Sequence, residues 1–248
     1  MNKIFDRALL KQNRLRAALE LSNHSFLYHE IANRIYENLQ FFSYDFKDCL
    51  EICSRDAYLS RLLKKNGKIK NVEIFLDEEN IFPKKNSFDL ILSNMNLHHI
   101  NSVPSFLLQI KNLLNQGGVF VASFFAEENL LELHKTIFEV ESEIYNGVSP
   151  RMIPTIDVKT AANLLQKAGF YHPISSLERV EVSYEDPLNL LKDLKMMGQG
   201  NIINKRSRRF FTKTFLQKIL ERYRQNYINS DGYFRATFEV VIITGFKN

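Results

Sequence analysis

The chain has 248 residues, 45% of them hydrophobic and 25% charged, which is enough to bury the core of one α/β domain. Its 33 basic and 28 acidic residues give a formal net charge of +5. No apolar run approaches the roughly 18 residues of a membrane span. Residues 1–21 mix charged and apolar residues, unlike a signal peptide, so the default expectation is a cytoplasmic protein.

The two cysteines, Cys49 and Cys53, do not make a disulfide framework. On a strand they would lie roughly 13 Å apart, beyond disulfide reach, and we interpret them as small buried hydrophobic residues. No metal site is predicted, because the chain has no HExxH or CxxC spacing. His98 and His99 would point to different sides of an extended segment.

The first half of the chain predicts a parallel α/β sheet behind two amphipathic helices, because strands and helices alternate. The two leading helices are predicted at 3–21 and about 25–39, as a cap over the sheet edge or its ligand crevice. The first strand is predicted at 48–53, with a helix to about Lys65 that Asn66-Gly67 ends. Further strands are predicted at 71–76, 88–93 and 119–125, with a helix at 103–114.

The second half predicts more helix and two strands. Helices are predicted at about 127–145, 157–168, 187–197 and 209–227, and strands at 177–184 and 236–246. Since no repeat or low-complexity linker is visible, we expect a single domain over 1–248. Its parts would be a helical cap (1–45), a cofactor-type half (46–126), and a helical insertion with closing strands (127–248).

The segment Glu51-Ile-Cys-Ser-Arg-Asp-Ala57 is the most informative part of the chain. A strand, a tight turn and a helix start form the opening of a Rossmann-like nucleotide site, where the ligand lies against backbone. Such turns need glycine, because the ligand approaches closer than a Cβ allows. This turn contains no glycine.

Several short motifs recur in a characteristic order over most of the chain. They are Phe5-Asp-Arg7, Phe88-Asp-Leu90, Leu97-His98 with Asn101 and Pro104, Leu130-Leu-Glu-Leu133, Ser149-Pro150, Ala168-Gly-Phe170, Asp193-Leu194 with Met197-Gly198 and Asn201, and Asp231-Gly232 before Ala236-Thr237-Phe238. With the strand–turn–helix opening, they resemble S-adenosylmethionine-dependent methyltransferases with a seven-stranded sheet. The chain is most similar to the branch that contains the malonyl-acyl-carrier-protein methyltransferase of biotin synthesis and the methyltransferase-like assembly factor of respiratory complex I. That assembly factor is regarded as a hydroxylase of an arginine on a complex I subunit.

The resemblance implies a site for S-adenosylmethionine at the carboxyl ends of the strands. Glu51 would contact the methionine amine, Asp77 or Glu78 would lie near the adenine, and the Asn94–His98 segment would lie beside the substrate. His98 is the one candidate for a catalytic or hydrogen-bonding role. The implied cofactor-binding residues are Glu51, Cys53, Ser54, Arg55, Asp77, Glu78, Asn94 and Met95.

The first departure from the family is in the cofactor loop, which in the family reads acidic-x-Gly-x-Gly-x-Gly. Here Cys53, Arg55 and Ala57 replace the glycines. Their Cβ atoms narrow the path to the cofactor. The Arg55 cation would also repel the cofactor's sulfonium unless Asp56 or Glu51 pairs with it.

Two further departures concern the sheet and the substrate side. Only 38 positions separate Leu50 from Phe88, which leaves no room for a second βα unit, so we expect the fold to be reduced by one such unit. By this comparison the lost strand is the one that ends in the ribose-binding acid, and residues 72–76 match the family's next strand. A Gly-Gly pair expected after the fourth strand reads Ala126-Glu127.

The sequence therefore predicts a methyltransferase-family protein with a degenerate cofactor site that modifies or assembles a protein in complex I maturation. One alternative is an active methyltransferase acting on a protein or an acyl carrier protein. Another is a non-enzymatic binding module that uses the basic N-terminal helix and the Lys205–Arg209 cluster. Nucleic acid is not the expected partner, because that cluster lacks interleaved aromatic residues. The oligomeric state is left open.

Overall fold

The computed structural model describes residues 3–77, 87–207 and 211–248. The helices in these ranges are α1 Arg7–Ala17, α2 Phe26–Gln40, α3 Tyr58–Lys65, α4 Val103–Leu113, α5 Leu131–Tyr145, α6 Val158–Lys167, α7 Pro187–Met196 and α8 Lys213–Asn226. The strands are β1 Phe46–Ile52, β2 Ile69–Phe75, β3 Phe88–Ser93, β4 Leu114–Phe125, β5 Tyr171–Tyr184 and β6 Phe234–Phe246. Short 3₁₀ turns lie at Leu21–Asn23 and Leu97–His99.

The six strands form one sheet in the order β2-β1-β3-β4-β6-β5. Strand β1 is parallel to β2 and β3, and β3 is parallel to β4. Strand β6 runs antiparallel to β4. This mixed sheet with flanking helices confirms the predicted Rossmann-like class with one strand fewer than the seven of the full methyltransferase fold.

The structure gives β2 a place in the sheet that the sequence comparison did not assign. That comparison matches residues 72–76 to the family's strand after the lost one. In the structure β2 pairs directly with β1, with Glu51 opposite Ile74 and Ile52 opposite Phe75. Among the described residues only α3 lies between β1 and β2 along the chain, and Asp77 follows the end of β2.

Strand β4 begins earlier than predicted, directly after α4. The glycine pair lies inside the strand, where the β3–β4 register shifts between Phe88 and Leu90. Gly117 has φ +73°, and a Cβ on Gly118 would lie 2.8 Å from the backbone oxygen of Asn115. The two glycines therefore permit an irregularity in the strand as well as a close backbone approach.

The chain divides into two compact units, which we describe one at a time. Unit 1 comprises Met1–Ser25, Glu128–Pro154 and Arg179–Glu239, and unit 2 comprises Phe26–Glu127, Thr155–Glu178 and Val240–Asn248. Unit 2 holds the large core, built from fully buried residues such as Leu50, Ile91, Leu107, Phe120 and Leu165. Unit 1 holds two smaller clusters, Phe5 with Leu10 and Ile202, and Val140 with Phe215 and Ile219. The single-domain organisation over 1–248 stays a prediction.

Two further expectations from the sequence concern the basic cluster and membrane spans. In the basic cluster, Lys205 is exposed and Arg206 pairs with Asp6 at 3.2 Å, whereas Arg208 and Arg209 lie outside the described residues. Across the described ranges, no helix combines the length and the apolar character needed to cross a membrane.

Candidate functional site

The turn between β1 and α3 keeps a backbone conformation that favours glycine. Cys53 has φ +55° and Ala57 has φ +54°, both in the left-handed region. For a residue with a Cβ this region costs about 1–2 kcal/mol. Two of the three positions where the family has glycine therefore retain a glycine-like backbone and also carry a side chain.

The turn is held by its own polar groups. The Ala57 amide donates to Ser54 Oγ at 2.8 Å, and the Tyr58 amide donates to Asp56 Oδ1 at 3.0 Å. The Cys53 thiol donates to the backbone oxygen of Leu76 at 3.1 Å, so its side chain is turned toward the end of β2. Cys53 and Cys49 are both buried free thiols, as expected of small hydrophobic residues at these positions.

Helix α2 contacts the turn with its first half, through residues that the sequence analysis did not select. His29 Nε2 lies 2.5 Å from Asp56 Oδ2, and the His29 ring stacks on Tyr58 with centroids 3.9 Å apart. The Tyr58 hydroxyl donates to Asn33 Oδ1 at 3.0 Å. Asp56, which the sequence offered as a partner for Arg55, thus binds a histidine of α2.

Glu51, the acidic residue of the motif, is 2% exposed. Its Oε2 atom is buried and has no hydrogen-bond partner among the described residues. Burial raises the pKa of Glu51, and the Asp56 charge adds to this, while hydrogen bonds from Ser60 and Ser54 oppose it. A buried carboxylate oxygen without a partner is costly to maintain, so its presence requires a physical explanation.

The end of β3 carries the second part of the predicted site. Asn94 accepts from Ser123 Oγ at 2.8 Å and donates to the Tyr28 backbone oxygen at 2.9 Å. Met95 has φ +53°, and its amide donates to Ser123 Oγ at 2.8 Å. This loop is therefore anchored to both β4 and α2.

His98 and His99 lie in a 3₁₀ turn, which corrects the expectation of an extended segment. Because a 3₁₀ turn does not alternate its side chains, the two rings lie together, with centroids 4.1 Å apart. His98 Nδ1 accepts from the Phe125 amide at 3.3 Å, which gives this residue a local role in holding the end of β4. No group of three or more His, Cys, Asp or Glu within the described ranges could hold a metal ion.

The predicted residues gather at the carboxyl ends of three adjacent strands, where open α/β sheets bind ligands. Glu51 to Arg55 end β1, Asn94 and Met95 end β3, and Asp77 follows β2 as an exposed residue. Glu78 lies outside the described residues. After β4, Ala126 is buried and Glu127 is exposed. Asp77 thus lies two residues beyond the end of β2, the strand that pairs with β1.

Unit 1 contains a separate cavity of about 250 Å³ that sequence reasoning missed. Two buried carboxylates line it, Glu132 from α5 and Glu239 from β6, 6% and 4% exposed. Glu132 accepts from the Thr237 hydroxyl at 2.6 Å and from its amide at 3.3 Å. Arg235 Nε lies 3.5 Å from Glu132 Oε1.

Glu239 presents a different arrangement in the same cavity. Arg179 donates through both Nε and a terminal nitrogen to one oxygen, Oε1. No described residue donates to Oε2, which leaves that oxygen available to a ligand. With Glu128, Glu181 and Lys135 also lining it, the cavity has four carboxylates against three cations. In the sequence, this cavity could have been suspected from Glu239, a single acidic residue inside the apolar run from Ala236 to Phe246.

Comparison with known proteins places these features in context. The sequence matches the family described as Methyltransferase domain over residues 23–172. The mitochondrial arginine hydroxylase NDUFAF5 of Mus musculus is 32% identical, with 98% of this chain and 77% of that protein covered. The malonyl-[acyl-carrier protein] O-methyltransferase of Gallionella capsiferriformans is 26% identical, covering 76% of this chain and 61% of that protein.

Among solved structures, a candidate methyltransferase of Bacillus halodurans superposes with a TM-score of 0.54 at 14% identity. The match covers 85% of this chain and 97% of that one. At this identity the likeness shows the fold alone.

Proposed function

Since the chain belongs to the methyltransferase-domain family, in the branch that includes the arginine hydroxylase NDUFAF5, we propose that it is a methyltransferase-like protein with a degenerate cofactor site. Its role would be to bind a partner protein during respiratory complex I maturation, with weak or absent catalysis. The cytoplasmic location expected from the sequence and the identity of the partner protein are also part of this proposal.

The observation that carries the proposal is the turn after β1. A cofactor in this fold lies against the turn's backbone, which glycine leaves accessible. Here Cys53 and Ala57 keep the left-handed backbone but add Cβ atoms, and Arg55 adds a long cation. We therefore infer that these residues do not fit S-adenosylmethionine, and we derive no chemical step through it.

A second candidate function, an active methyltransferase with a protein or acyl-carrier-protein acceptor, is favoured by one specific observation. Glu51 Oε2 is buried without a partner in the described residues, and an ammonium group would satisfy it. Asp77 stands at the end of the strand beside β1, where it could accept from ribose hydroxyls. In this case Asn94 to His98 would border the acceptor.

The unit 1 cavity supports a basic segment of the partner protein as the bound group. The name of the mouse relative makes arginine its substrate. A guanidinium has five donors in a planar fork that matches carboxylate geometry. Glu239 Oε2 and the exposed Glu128 and Glu181 would receive it. In a protein without catalysis, this contact would hold the partner without modifying it.

Binding of S-adenosylmethionine separates the two candidates. We would titrate the protein with S-adenosylmethionine and S-adenosylhomocysteine by calorimetry and by thermal shift, beside Arg55→Gly and the triple variant Cys53→Gly/Arg55→Gly/Ala57→Gly. We expect no binding by the natural sequence and a gain in the triple variant. Ligand at 100 times Kd would add about 2.7 kcal/mol of stability, which is easily detected. Micromolar binding by the natural sequence would overturn the degenerate-site proposal and select the methyltransferase.

The partner is tested by affinity capture from cells that express the protein, with quantification of complex I subunits. We expect Glu239→Gln to abolish enrichment of a complex I subunit, whereas Glu221→Gln, an exposed glutamate outside the cavity, keeps it. Melting temperatures of both variants show that they are folded. Equal enrichment by the two variants would rule out the cavity as the partner site.

A further inference from the structure

A second cavity in unit 2, of about 410 Å³, lies at the opposite end of α2 from the cofactor turn. It is lined by the buried Val121 of β4 and Ile242 of β6, by Ile174 of β5, and by Phe41 just after α2. His29, which contacts the turn, and Asn38, which lines the cavity, are nine residues apart, or about 14 Å along the helix. The cavity is therefore distinct from the turn site.

The mouth of this cavity is apolar and open to solvent. The side chain of Phe41 is 88% exposed and that of Ile174 is 56% exposed. Each places a large apolar surface in water, and this surface could be covered by a ligand that enters between them. Volumes of 300–1,000 Å³ with a mostly apolar lining are typical of small-molecule sites.

Two polar groups in the lining are available for a ligand. Within residues 3–77, 87–207 and 211–248, the Asn38 amide and the Thr244 hydroxyl make no hydrogen bond with other protein groups. An amide and a hydroxyl can each donate and accept a hydrogen bond, so they can bind a neutral head group that is a donor, an acceptor or both. Asn38 is exposed and Thr244 is half-buried, so a ligand without such a group would make neither of these two hydrogen bonds.

The charges beside the cavity disfavour an anion. Glu178 lines it and accepts from Arg34 at 2.7 Å and from Ser176 Oγ at 3.1 Å. Arg34 also donates to Glu30 at 2.9 Å, so one cation serves two carboxylates and the group has a net charge of −1. A carboxylate or phosphate ligand would meet this excess negative charge without a free cation in the group.

We propose that this cavity is a binding site for a small apolar molecule with a neutral hydrogen-bonding head group, such as an amide or an alcohol. The apolar body would lie between Phe41, Ile174 and Ile242, and the head group would bond to Asn38 and Thr244. The site does not depend on the cofactor turn, so it is independent of the proposed function.

The test uses the neutral fluorescent probe N-phenyl-1-naphthylamine with the full-length protein. We expect the probe to gain fluorescence on binding, and octanamide to displace it at a concentration at least tenfold lower than octanoate, which has the same chain length. Glu178→Gln removes one carboxylate and should narrow that difference. Failure of the probe to bind, or equal displacement by octanamide and octanoate, would overturn the proposal.

Matched variants locate the binding. Phe41→Asp places a charge at the mouth of the cavity and should lower the affinity for the probe at least fivefold. Leu19→Asp changes a residue that is 91% exposed and outside the cavity, so probe affinity should be unchanged. Both positions are exposed enough for the variants to fold. If both substitutions lower the affinity for the probe equally, or if neither changes it, the probe binds outside this cavity. That result would overturn the proposed site.

Discussion

Ala57 stores backbone strain that can be measured directly. It has φ +54° at the position before α3, a conformation that glycine adopts without penalty. Ala57→Gly should therefore stabilise the protein by about 0.5–1 kcal/mol, since relief of about 1–2 kcal/mol of strain outweighs the greater flexibility of glycine in the unfolded chain. Urea unfolding measures the change.

The control for this prediction is Ala162→Gly, in the interior of α6. There glycine is unfavourable, and a loss of about 1 kcal/mol is expected. A loss of similar size at both positions would mean that residue 57 is not strained.

Glu51 should make stability depend on pH in a defined direction. Its pKa in the folded protein is raised by burial, so the folded state disfavours the charged form. The resulting penalty is absent below the unfolded pKa of about 4.3 and grows as the pH rises above that value. The melting temperature of the Glu51→Gln variant should therefore be close to that of the natural protein at pH 4 and higher than it at pH 7.

Glu37→Gln is the control for this pH dependence, because Glu37 is exposed on α2. Its melting temperature should follow that of the natural protein at both pH values. If the difference in melting temperature between Glu51→Gln and the natural protein is the same at pH 4 and pH 7, the carboxylate of Glu51 is satisfied in the folded state.

At this scale the sequence indicated which strand ends carry the candidate residues but not which contacts hold the turn, and the role of these residues as a site stays a prediction. The acidic position and the three missing glycines were visible from the family spacing, and the structure puts them at the strand ends. The left-handed φ at Cys53 and Ala57 is a finding of the structure. The contacts from His29 and Asn33 could not be predicted, because they depend on how α2 packs and no local pattern encodes that.

At the scale of elements, strong local patterns gave accurate boundaries. Strand β3 occupies Phe88–Ser93 as predicted, because its apolar run is bounded by polar residues. Strand β5 begins at Tyr171, six residues before the predicted start, since His172 and Pro173 lack strand propensity and pairing in the sheet overrides it. The place of β2 beside β1 is a tertiary outcome that sequence alignment alone could not give.

Helix α2 should be fixed on the turn by the His29–Asp56 pair. The two side chains are 34% and 27% exposed, so the coupling should be modest, about 0.5–1 kcal/mol. A double-mutant cycle with His29→Ala and Asp56→Asn isolates it. Either single variant should also speed hydrogen exchange at residues 53–58, because the turn loses its cover.

Glu30→Gln serves as a comparison on the same helix, since Glu30 is bonded to Arg34 and not to the turn. Exchange at residues 53–58 should be unchanged in that variant. Zero coupling in the cycle, together with unchanged exchange in all variants, would mean that α2 is held by its apolar face alone.

At the scale of the whole molecule, two strands bear on whether the chain unfolds as one domain. Strands β5 and β6 each have residues in both units, with divisions after Glu178 and after Glu239. A strand seldom unfolds over half its length, because its hydrogen-bond ladder is cooperative. We therefore expect one unfolding transition for residues 1–248, which is the behaviour of the single domain that the sequence predicts.

The cysteines make this testable, because Cys49 and Cys53 are the chain's two thiols and both lie in unit 2. Both are buried, and burial holds the pKa of Cys49 well above its usual value, so neither should react with a maleimide in the native protein. Pulse labelling along a urea series then follows unit 2, while circular dichroism follows the helices of both units. Coincident curves are expected. Helical signal that survives after both thiols have become reactive would show that unit 1 folds on its own and would divide the chain into two domains.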